Sequence, residues 1–415
     1  MRTIEKLTKE HFASFVDIAG NAYPVFGFNT TEHKKKVVES VADTQENDPF
    51  TTFYGVFEAG NLLGGMRLHD YTMNVFGHPI PTGGVGMVCV DLIHKKQHVA
   101  KDIIQFFLRE YRQKGAPFAI LYPFRPDFYK RMGFGYGTQK HCFRVRPGDL
   151  PAGDAPGRVA ITEDKAAVEQ CYDRVFRATH GLIKTEERGI ARLFRSEENR
   201  VAAYFDGDEI KGYLVLASEG TVDGNPMRQN MLIKQLIYED RVALAGLLGF
   251  LRKQADQVDR MVFYTQDEFF YHVPTDPRDG SDGMIPSAYH VSNTSGVGLM
   301  YRVVDVPTAF KLLKGRNFGG QDCKLKITIA DNFLPENAGS TVVHFKAGQA
   351  DIQDGDDFDV EIQLDVSDFS SLLLGIIDFK HLYTYNQAEI SDPDYLDCVQ
   401  NLFYSQVKPV CITDF

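Results

Sequence analysis

The amino-acid sequence predicts two α/β units followed by a smaller α+β unit. Residues 84–122 alternate between strand, polar loop, amphipathic helix and strand, which is the pattern of a βαβ crossover. A weaker form of this alternation returns after residue 157, and from about residue 298 shorter strands are followed by short helices. The chain of 415 residues is also too long for one ordinary core.

In the first unit, apolar residues at helical spacing predict a helix over residues 12–19, which ends before Pro24. A second helix is predicted over 31–43. Alternating or continuous apolar segments then predict strands, at residues 51–58, 61–68, 73–80, 84–90 and 118–122. Between the last two lies the most amphipathic helix of the chain, whose apolar positions are Ala100, Ile103, Ile104, Phe107, Leu108 and Tyr111.

A Pro- and Gly-rich stretch at residues 147–157 predicts a linker. After it, strands are predicted at 202–205, 211–217, 230–238 and 261–265, with a helix at 243–254. The third unit has predicted strands at 324–330, 341–346 and 360–364 and helices at 367–374 and 393–403. We therefore expect domains at residues 1–148, 149–297 and 298–415.

Composition excludes several classes of function. A net charge of −11 argues against a nucleic-acid partner, because an acidic surface repels the phosphate backbone. The six cysteines are scattered, which predicts free thiols rather than a disulfide framework. The N-terminus lacks a signal-peptide pattern, and the longest nearly apolar run, at residues 242–251, is too short to span a membrane. We expect a cytoplasmic protein with no membrane partner.

Common cofactor and nucleophile motifs are absent from the sequence. It contains no P-loop, no GxSxG elbow and no dinucleotide-binding fingerprint. His94 and His98 have the spacing of metal ligands on a helix, but Lys95 stands where a zinc protease needs glutamate, and the neighbouring lysines repel a dication. No metal is predicted.

The strand–loop–helix segment at residues 84–101 suits an extended ligand that carries phosphate groups. A strand edge at residues 87–90 offers backbone N–H and C=O groups, and the helix N-terminus at 97–100 offers unpaired N–H groups to a pyrophosphate. Lys95, Lys96 and Lys101 add positive charge. An ordinary βα loop is the alternative interpretation.

This segment resembles motif A of the GNAT acetyltransferases, in which the strand holds the pantetheine arm and the loop binds the pyrophosphate of acetyl-CoA. The usual loop, Arg/Gln-x-x-Gly-x-Gly/Ala, here reads Lys95-Lys96-Gln97-His98-Val99-Ala100. His98 replaces the central glycine, which normally permits a close approach of the backbone.

The whole chain resembles the Eis (enhanced intracellular survival) family. Residues 128–137 are similar to that family's tyrosine-containing segment, residues 298–306 resemble the start of its C-terminal domain, and the chain ends in phenylalanine. The resemblance implies a GNAT domain, a degenerate second GNAT domain, a sterol-carrier-protein-like C-terminal domain and a homohexamer.

The resemblance also implies roles for individual residues. Tyr129 would be the general acid, the terminal carboxylate of Phe415 the general base, and Asp414 would help to hold a cationic acceptor. Acetyl-CoA would be the cosubstrate. Its contacts would come from three segments: Val88, Cys89 and Val90; Lys96, Gln97, His98, Val99, Ala100 and Lys101; and Phe124 and Arg125. The second unit has acidic residues at 239–240, where a phosphate would lie, and is expected to bind no CoA.

These observations predict an acetyl-CoA-dependent N-acetyltransferase that acts on a primary amine. The acceptor stays open, since aminoglycosides, polyamines, lysine-bearing peptides and small amines all suit an acidic protein. A non-catalytic lipid or small-ligand carrier, acting through the C-terminal domain, is the alternative.

Overall fold

The computed structural model describes residues 1–24, 30–153, 158–185, 187–222 and 224–415, which group into two compact units. The first unit comprises residues 1–137, 299–409 and 413–415, and the second comprises residues 138–298 and 410–412. Positions 154–157 of the predicted linker lie outside the described residues.

The N-terminal part of the first unit is built on a meander of antiparallel strands followed by a βαβ crossover. Its elements are β1 Thr3–Lys6, α1 Phe12–Ala22, α2 Thr31–Asn47, β2 Thr51–Glu58, β3 Asn61–Val75, β4 His78–Val90, α3 Val99–Gln113, β5 Phe118–Leu121, α4 Pro126–Lys130 and β6 Gly135–Tyr136. Strands β1 to β4 pair antiparallel in sequence order, and β5 pairs parallel to β4. Helix α3 buries the apolar face predicted for it, so the predicted crossover is confirmed.

The prediction of separate strands at residues 61–68, 73–80 and 84–90 is wrong. The chain forms two long strands, β3 and β4, joined by a tight turn at Phe76-Gly77. Both turn residues have positive φ, 52° and 87°, as a two-residue hairpin requires. The turn was missed because Phe76 is a large aromatic residue, which rarely adopts this conformation.

The second unit repeats the meander and the crossover. Its elements are β7 Lys140–Val145, β8 Arg158–Ile161, α5 Lys165–Ala178, α6 Glu187–Arg195, β9 Arg200–Asp206, β10 Glu209–Val222, β11 Asn225–Tyr238, α7 Arg241–Arg252, β12 Val258–Thr265, β13 Met284–Ile285, β14 Tyr289–His290 and β15 Asn293–Gly296. The strand order in its main sheet is β15-β7-β12-β11-β10-β9-β8, with β11 and β12 parallel on either side of the α7 connection. A second α/β unit is therefore confirmed.

The C-terminal part of the chain adds one strand to the first sheet and forms a sheet of its own. Its elements are β16 Met300–Val303, α8 Val306–Leu312, β17 Cys323–Ala330, β18 Gly339–Lys346, β19 Gln349–Gln353, β20 Val360–Asp365, α9 Val366–Leu373, α10 Phe379–Thr384, β21 Ala388–Ile390 and α11 Leu396–Phe403. Strands β17 to β21 form a sheet in the order β19-β18-β17-β20-β21. The α+β character predicted for this part is confirmed.

Two strands belong to different sheets from those that the sequence suggests. Strand β7 precedes the Pro- and Gly-rich stretch but pairs with β12 in the second sheet. Strand β16 lies in the first sheet between β5 and β6, with Met300 opposite Leu121. The domain limits 1–148, 149–297 and 298–415 stay a prediction, and these pairings show which strands each sheet contains.

A buried ion pair lies where β16 meets the C-terminal part of the first unit. The side chains of Arg302 and Asp331 are both 0% exposed and approach to 2.6 Å. Asp331 also accepts hydrogen bonds from the backbone of Phe333 and Leu334 and from the side chain of Asn337. Such a pair tolerates the loss of one partner poorly, because the remaining charge would be buried without compensation.

Candidate active site

The centre of the first sheet opens where β4 leaves β5. The two strands pair from Thr82 to Val85, and their register ends there. On the other side of β4, Gly65 pairs with Cys89 and Arg67 pairs with Gly86, so one extra residue of β4 forms a β-bulge. Met87, within the bulge, has a φ of 48°. Beyond the bulge, no strand among the described residues pairs with the edge of β4 that faced β5.

The loop after β4 leads into the N-terminus of α3 through two residues in left-handed backbone conformations. Lys96 and His98 both have a φ of 64°. His98 therefore adopts a backbone conformation that favours glycine. It stands at the position where the motif A loop described above usually has glycine. The first N–H groups of α3 have no acceptor within the helix, which makes this end an anion-binding position. Lys95, Lys96 and Lys101 are exposed beside it.

Tyr129 lies on the short helix α4 and is buried, with 3% of its surface exposed. Its ring makes edge-to-face contacts with Phe124, Phe128 and Phe134. Burial, followed by the proximity of Tyr23, raises the pKa of the Tyr129 hydroxyl well above its usual value. Because the pKa is raised, the phenol stays protonated at neutral pH and can act as a proton donor.

Tyr23 contacts β4 close to the bulge. Its hydroxyl donates a 2.8 Å hydrogen bond to the carbonyl oxygen of Val88, just after the bulge. Burial and the neighbouring thiol of Cys89 raise the pKa of Tyr23 to about 12. The hydroxyl of Tyr23 therefore stays protonated at neutral pH, where it donates to Val88.

Phe415 packs in the first unit against aromatic residues of the first sheet. Its ring contacts those of His69, Tyr71 and Tyr122, with ring centroids 5.7, 5.3 and 5.1 Å apart respectively. The hydroxyl of Tyr122 donates to the carbonyl oxygen of Thr413 at 3.1 Å, which ties down the preceding residues. These contacts fix the last residues of the chain against the first sheet.

The carboxyl group of Phe415 lies over the bulged part of β4. A Cβ atom placed on Gly86 would be 3.1 Å from the carboxyl carbon of Phe415 and 3.3 Å from Nη2 of Arg67. A Cβ on Gly84 would overlap the ring of Tyr71. The two glycines thus leave space for this cluster, and the carboxyl group and the Arg67 guanidinium lie close to the same point of the strand.

The other residues expected to bind the cofactor have different surroundings. The side chain of Cys89 is buried, its thiol donates to the carbonyl of Gly65, and its backbone lies opposite Gly65 of β3. Phe124 is 62% exposed at the end of β5. Arg125 is exposed and forms an ion pair of 2.6 Å with Asp127. The side chain of Asp414 is exposed.

Sequence reasoning missed several residues of this site: Tyr23, Arg67, His69, Tyr71 and Tyr122. Three of them, Arg67, His69 and Tyr71, occupy alternate positions of β3 and so share one face. They lie opposite Gly86, Gly84 and Thr82 of β4. The signal that could have found them is this alternation of large polar or aromatic side chains beside alternating glycines on the next strand.

In the second unit, carboxylates occupy the N-terminus of α7, the helix that corresponds to α3. Asp240 caps α7 and accepts hydrogen bonds from the N–H groups of Val242 and Ala243. Glu239 forms an ion pair with Arg174 at 2.8 Å. The N–H groups that could receive a phosphate at this helix N-terminus therefore already bind a carboxylate.

Two features are absent from the described residues. Among them, no group of three or more His, Cys, Asp or Glu side chains is arranged to hold a metal ion. No helix in the same ranges combines the length and the apolar composition needed to cross a membrane.

Three parts of the chain match known domain families. Residues 3–137 match a family described as an acetyltransferase (GNAT) domain, and residues 180–303 match a second family of the same description. Residues 308–412 match the sterol carrier protein domain. The chain therefore contains two GNAT-type acetyltransferase domains and a sterol-carrier-like C-terminal domain, as the sequence predicts.

Individual relatives agree with this assignment. An uncharacterized N-acetyltransferase of Streptomyces avermitilis is 24% identical over 214 residues, which cover 48% of this chain and 52% of that protein, so the match spans about half the length of the relative. Two solved structures align over 100% of both chains. They are a GCN5-related N-acetyltransferase of Anabaena variabilis (TM-score 0.79, 17% identity) and Eis1 of Mycobacterium abscessus (TM-score 0.77, 18% identity). At these identities the likeness establishes the fold.

Proposed function

We propose that the protein is an acetyl-CoA-dependent N-acetyltransferase and that its active site lies at the open end of β4 in the first unit. The observation that carries the proposal is that a carboxyl group and a buried phenol, two groups that can transfer protons, lie near this strand. The Phe415 carboxyl group lies over Gly86. Two residues further on, Val88 accepts a hydrogen bond from Tyr23 and packs against the apolar cluster that contains Tyr129.

The backbone of β4 and the N-terminus of α3 fit the cosubstrate. Acetyl-CoA supplies an activated acetyl thioester, and its amide-containing arm would run along β4 at Val88, Cys89 and Val90, on the side where no described strand pairs with β4. Its phosphates would bind at residues 96–101, where N–H groups and exposed lysines lie together. Phe124 and Arg125, at the end of β5, would flank the other side of the opening.

The proton transfers are assigned to two residues of this chain. The carboxylate of Phe415 takes a proton from the acceptor ammonium, directly or through a water molecule, so that the amine can attack the thioester carbonyl. N–H groups of Val88 to Val90 stabilise the charge that develops on the carbonyl oxygen. As the C–N bond forms and the C–S bond breaks, Tyr129 donates its proton to the departing thiolate. The nitrogen then loses its second proton, through solvent, to the Tyr129 phenolate, and the carboxyl group of Phe415 releases its proton to solvent.

The acceptor class is proposed to be a primary amine. The carboxylate of Phe415 and the exposed carboxylate of Asp414 favour a cationic group at this end of the site, whereas the aromatic rings around Phe415 favour an apolar stem next to it. Aminoglycosides, polyamines, lysine-bearing peptides and small amines all contain such a group.

The test is a panel of these amines incubated with acetyl-CoA, with the released thiol measured and the acetylated product identified by mass. We expect thiol release that depends on the amine and a matching gain of one acetyl group. Thiol release at the same rate with and without every amine would contradict the proposal.

We further propose that the chain belongs to the Eis family and forms a homohexamer in the cytoplasm. The full-length structural likeness to Eis1 supports the first part, and the assembly follows from the family resemblance. Light scattering at micromolar concentration should give six times the chain mass of 46.8 kDa. A monomer under these conditions would contradict the assembly.

The second GNAT-type domain is proposed to bind no CoA, since carboxylates occupy the helix N-terminus that a phosphate would need. A carrier role is not favoured either. The interior of the C-terminal part is filled by aromatic rings that pack on one another, those of Phe310, Phe318, Phe345, Phe369 and Phe403.

A further inference from the structure

The segment that carries Tyr129 is held by side chains from the C-terminal part of the first unit. This segment runs from Pro126 to Tyr136 and includes α4 and β6. Its own turn is short, because the N–H groups of Met132 and Phe134 both bind the carbonyl oxygen of Tyr129, at 2.9 and 3.1 Å. Such a small element buries little surface of its own, so its position depends on its neighbours.

Helix α9 supplies three contacts to this segment. Asp368, in the first turn of α9, forms an ion pair with Lys130, the residue next to Tyr129. The hydroxyl of Ser371 donates a 2.8 Å hydrogen bond to the carbonyl oxygen of Tyr136. Between these two contacts, Gly135 packs directly on the backbone of Ser367, where any Cβ would overlap the carbonyl oxygen.

Arg302 supplies the fourth contact, from β16. Its guanidinium donates to the carbonyl oxygen of Met132 and occupies the space beside Gly133, which has a φ of 81°. Asp331 holds the same guanidinium through two hydrogen bonds. The turn after Tyr129 is thus fixed to a buried charge pair.

We propose that α9 of the sterol-carrier-like part serves the acetyltransferase site as a support, in which Asp368 and Ser371 are positioning residues for the general acid Tyr129. The proposal rests on the function proposed for Tyr129. Neither side chain is assigned a contact with the substrates. The C-terminal part then contributes to turnover by fixing the phenol, in addition to any contribution from Phe415.

The variants Asp368→Asn and Ser371→Ala test the inference. Asp397→Asn is the control, because Asp397 forms an ion pair with Lys380 between two other helices of the same unit, α11 and α10. We expect kcat to fall about ten- to a hundredfold in the two test variants, the usual cost of a small displacement of a catalytic group. KM for acetyl-CoA and the melting temperature should stay close to those of the wild type, and the control should keep its kcat.

Two readouts separate positioning from a general structural effect. In a Tyr129→Phe background, Asp368→Asn should change kcat less than twofold, because the group that it positions is gone. Hydrogen exchange of the peptide spanning residues 130–136 should become faster in Asp368→Asn, whereas the control leaves it unchanged. An equal loss of kcat in both backgrounds, or unchanged exchange in Asp368→Asn, would overturn the inference.

The exchange measurement also separates this inference from the proposed function. If no amine is acetylated by the wild-type protein but Asp368→Asn still loosens residues 130–136, the support by α9 stands and the acetyltransferase proposal fails. If the wild-type protein is active and neither variant alters kcat or exchange, the proposed function stands and the support by α9 fails.

Discussion

Replacing Tyr129 by phenylalanine removes one hydroxyl group from the proposed active site and leaves the ring in place. The ring is held by edge-to-face contacts with Phe124, Phe128 and Phe134, at centroid distances of 5.7, 5.2 and 6.0 Å. These contacts do not involve the hydroxyl, so the free energy of unfolding should change by no more than about 1 kcal/mol.

The effect on turnover should be much larger. Loss of a general acid lowers kcat by about 10²- to 10⁴-fold, which is about 2.7 to 5.4 kcal/mol of transition-state stabilisation. The neighbouring hydroxyl of Tyr23 should not compensate, because it donates to the carbonyl of Val88. KM for acetyl-CoA should be unchanged, since the missing proton is needed only as the thiolate departs.

The pH dependence follows from the raised pKa of Tyr129. A general acid must be protonated, and burial holds the pKa of this phenol well above its usual value near 10. The wild-type rate should therefore show no decline up to pH 10 that is caused by ionisation of Tyr129. A steady-state thiol-release assay from pH 6 to 10 measures both the loss of kcat in Tyr129→Phe and the pH dependence of the wild-type rate.

The control is Tyr111→Phe, the same change at another buried tyrosine of the same core cluster. It should leave kcat unchanged. Equal kcat values for Tyr129→Phe and the wild type would remove Tyr129 from the mechanism, and so would a loss that Tyr111→Phe reproduces.

Three further predictions follow from backbone strain, the position of Phe415 and the buried ion pair. His98→Gly should lower the dissociation constant of acetyl-CoA several-fold in calorimetry, because glycine adopts a φ of 64° without strain; weaker binding would mean that the imidazole itself contacts the cosubstrate. A single glycine added after Phe415 should lower kcat by about 10²-fold or more without changing acetyl-CoA affinity, because it turns the carboxylate into an amide; an unchanged kcat would remove this group as the base. Arg302→Met should lower the free energy of unfolding in urea by about 3 to 5 kcal/mol by leaving Asp331 uncompensated; a loss below 1 kcal/mol would show that the pair contributes little.

The elements with strong periodicity could be predicted from the sequence. Helix α3 has apolar residues on one continuous stripe, and the structure buries Ile103, Ile104, Phe107, Leu108 and Tyr111. Turns with unusual residues could not be predicted in this way. Phe76-Gly77 was not recognised because the positive φ of Phe76 is maintained by the long hairpin around it and not by its own preference.

The sheet to which each strand belongs could not be predicted from local sequence patterns either. Strand β16 joins the first sheet through pairing with β5, about 180 residues earlier in the chain. A local pattern indicates that residues 300–303 form a strand, but it does not identify the partner. The Pro- and Gly-rich stretch at residues 147–157 was a misleading sign of a linker, because Pro147 and Leu150 within it are buried.

Part of the candidate site was visible in the sequence because it is contiguous. The strand, basic loop and helix N-terminus at residues 84–101 carry their signal in one segment. Arg67, His69 and Tyr71 carry no such signal, because their role depends on the two glycines opposite them and on the packing of Phe415. A cluster of residues from separate segments of the chain can be identified only from the structure.

The most direct test of the central claim is a thermal-shift titration of the protein with acetyl-CoA. A ligand at 100 times its dissociation constant stabilises the native state by about 2.7 kcal/mol, which corresponds to a rise of about 5 °C or more in the melting temperature of a unit of this size. We predict such a rise in the wild type and a smaller one after the charge reversals Lys96→Glu and Lys101→Glu, whereas Lys211→Glu in the second unit should have no effect on it. An unchanged melting temperature at millimolar acetyl-CoA, or the same rise in all three variants, would contradict the site proposed at β4 and α3.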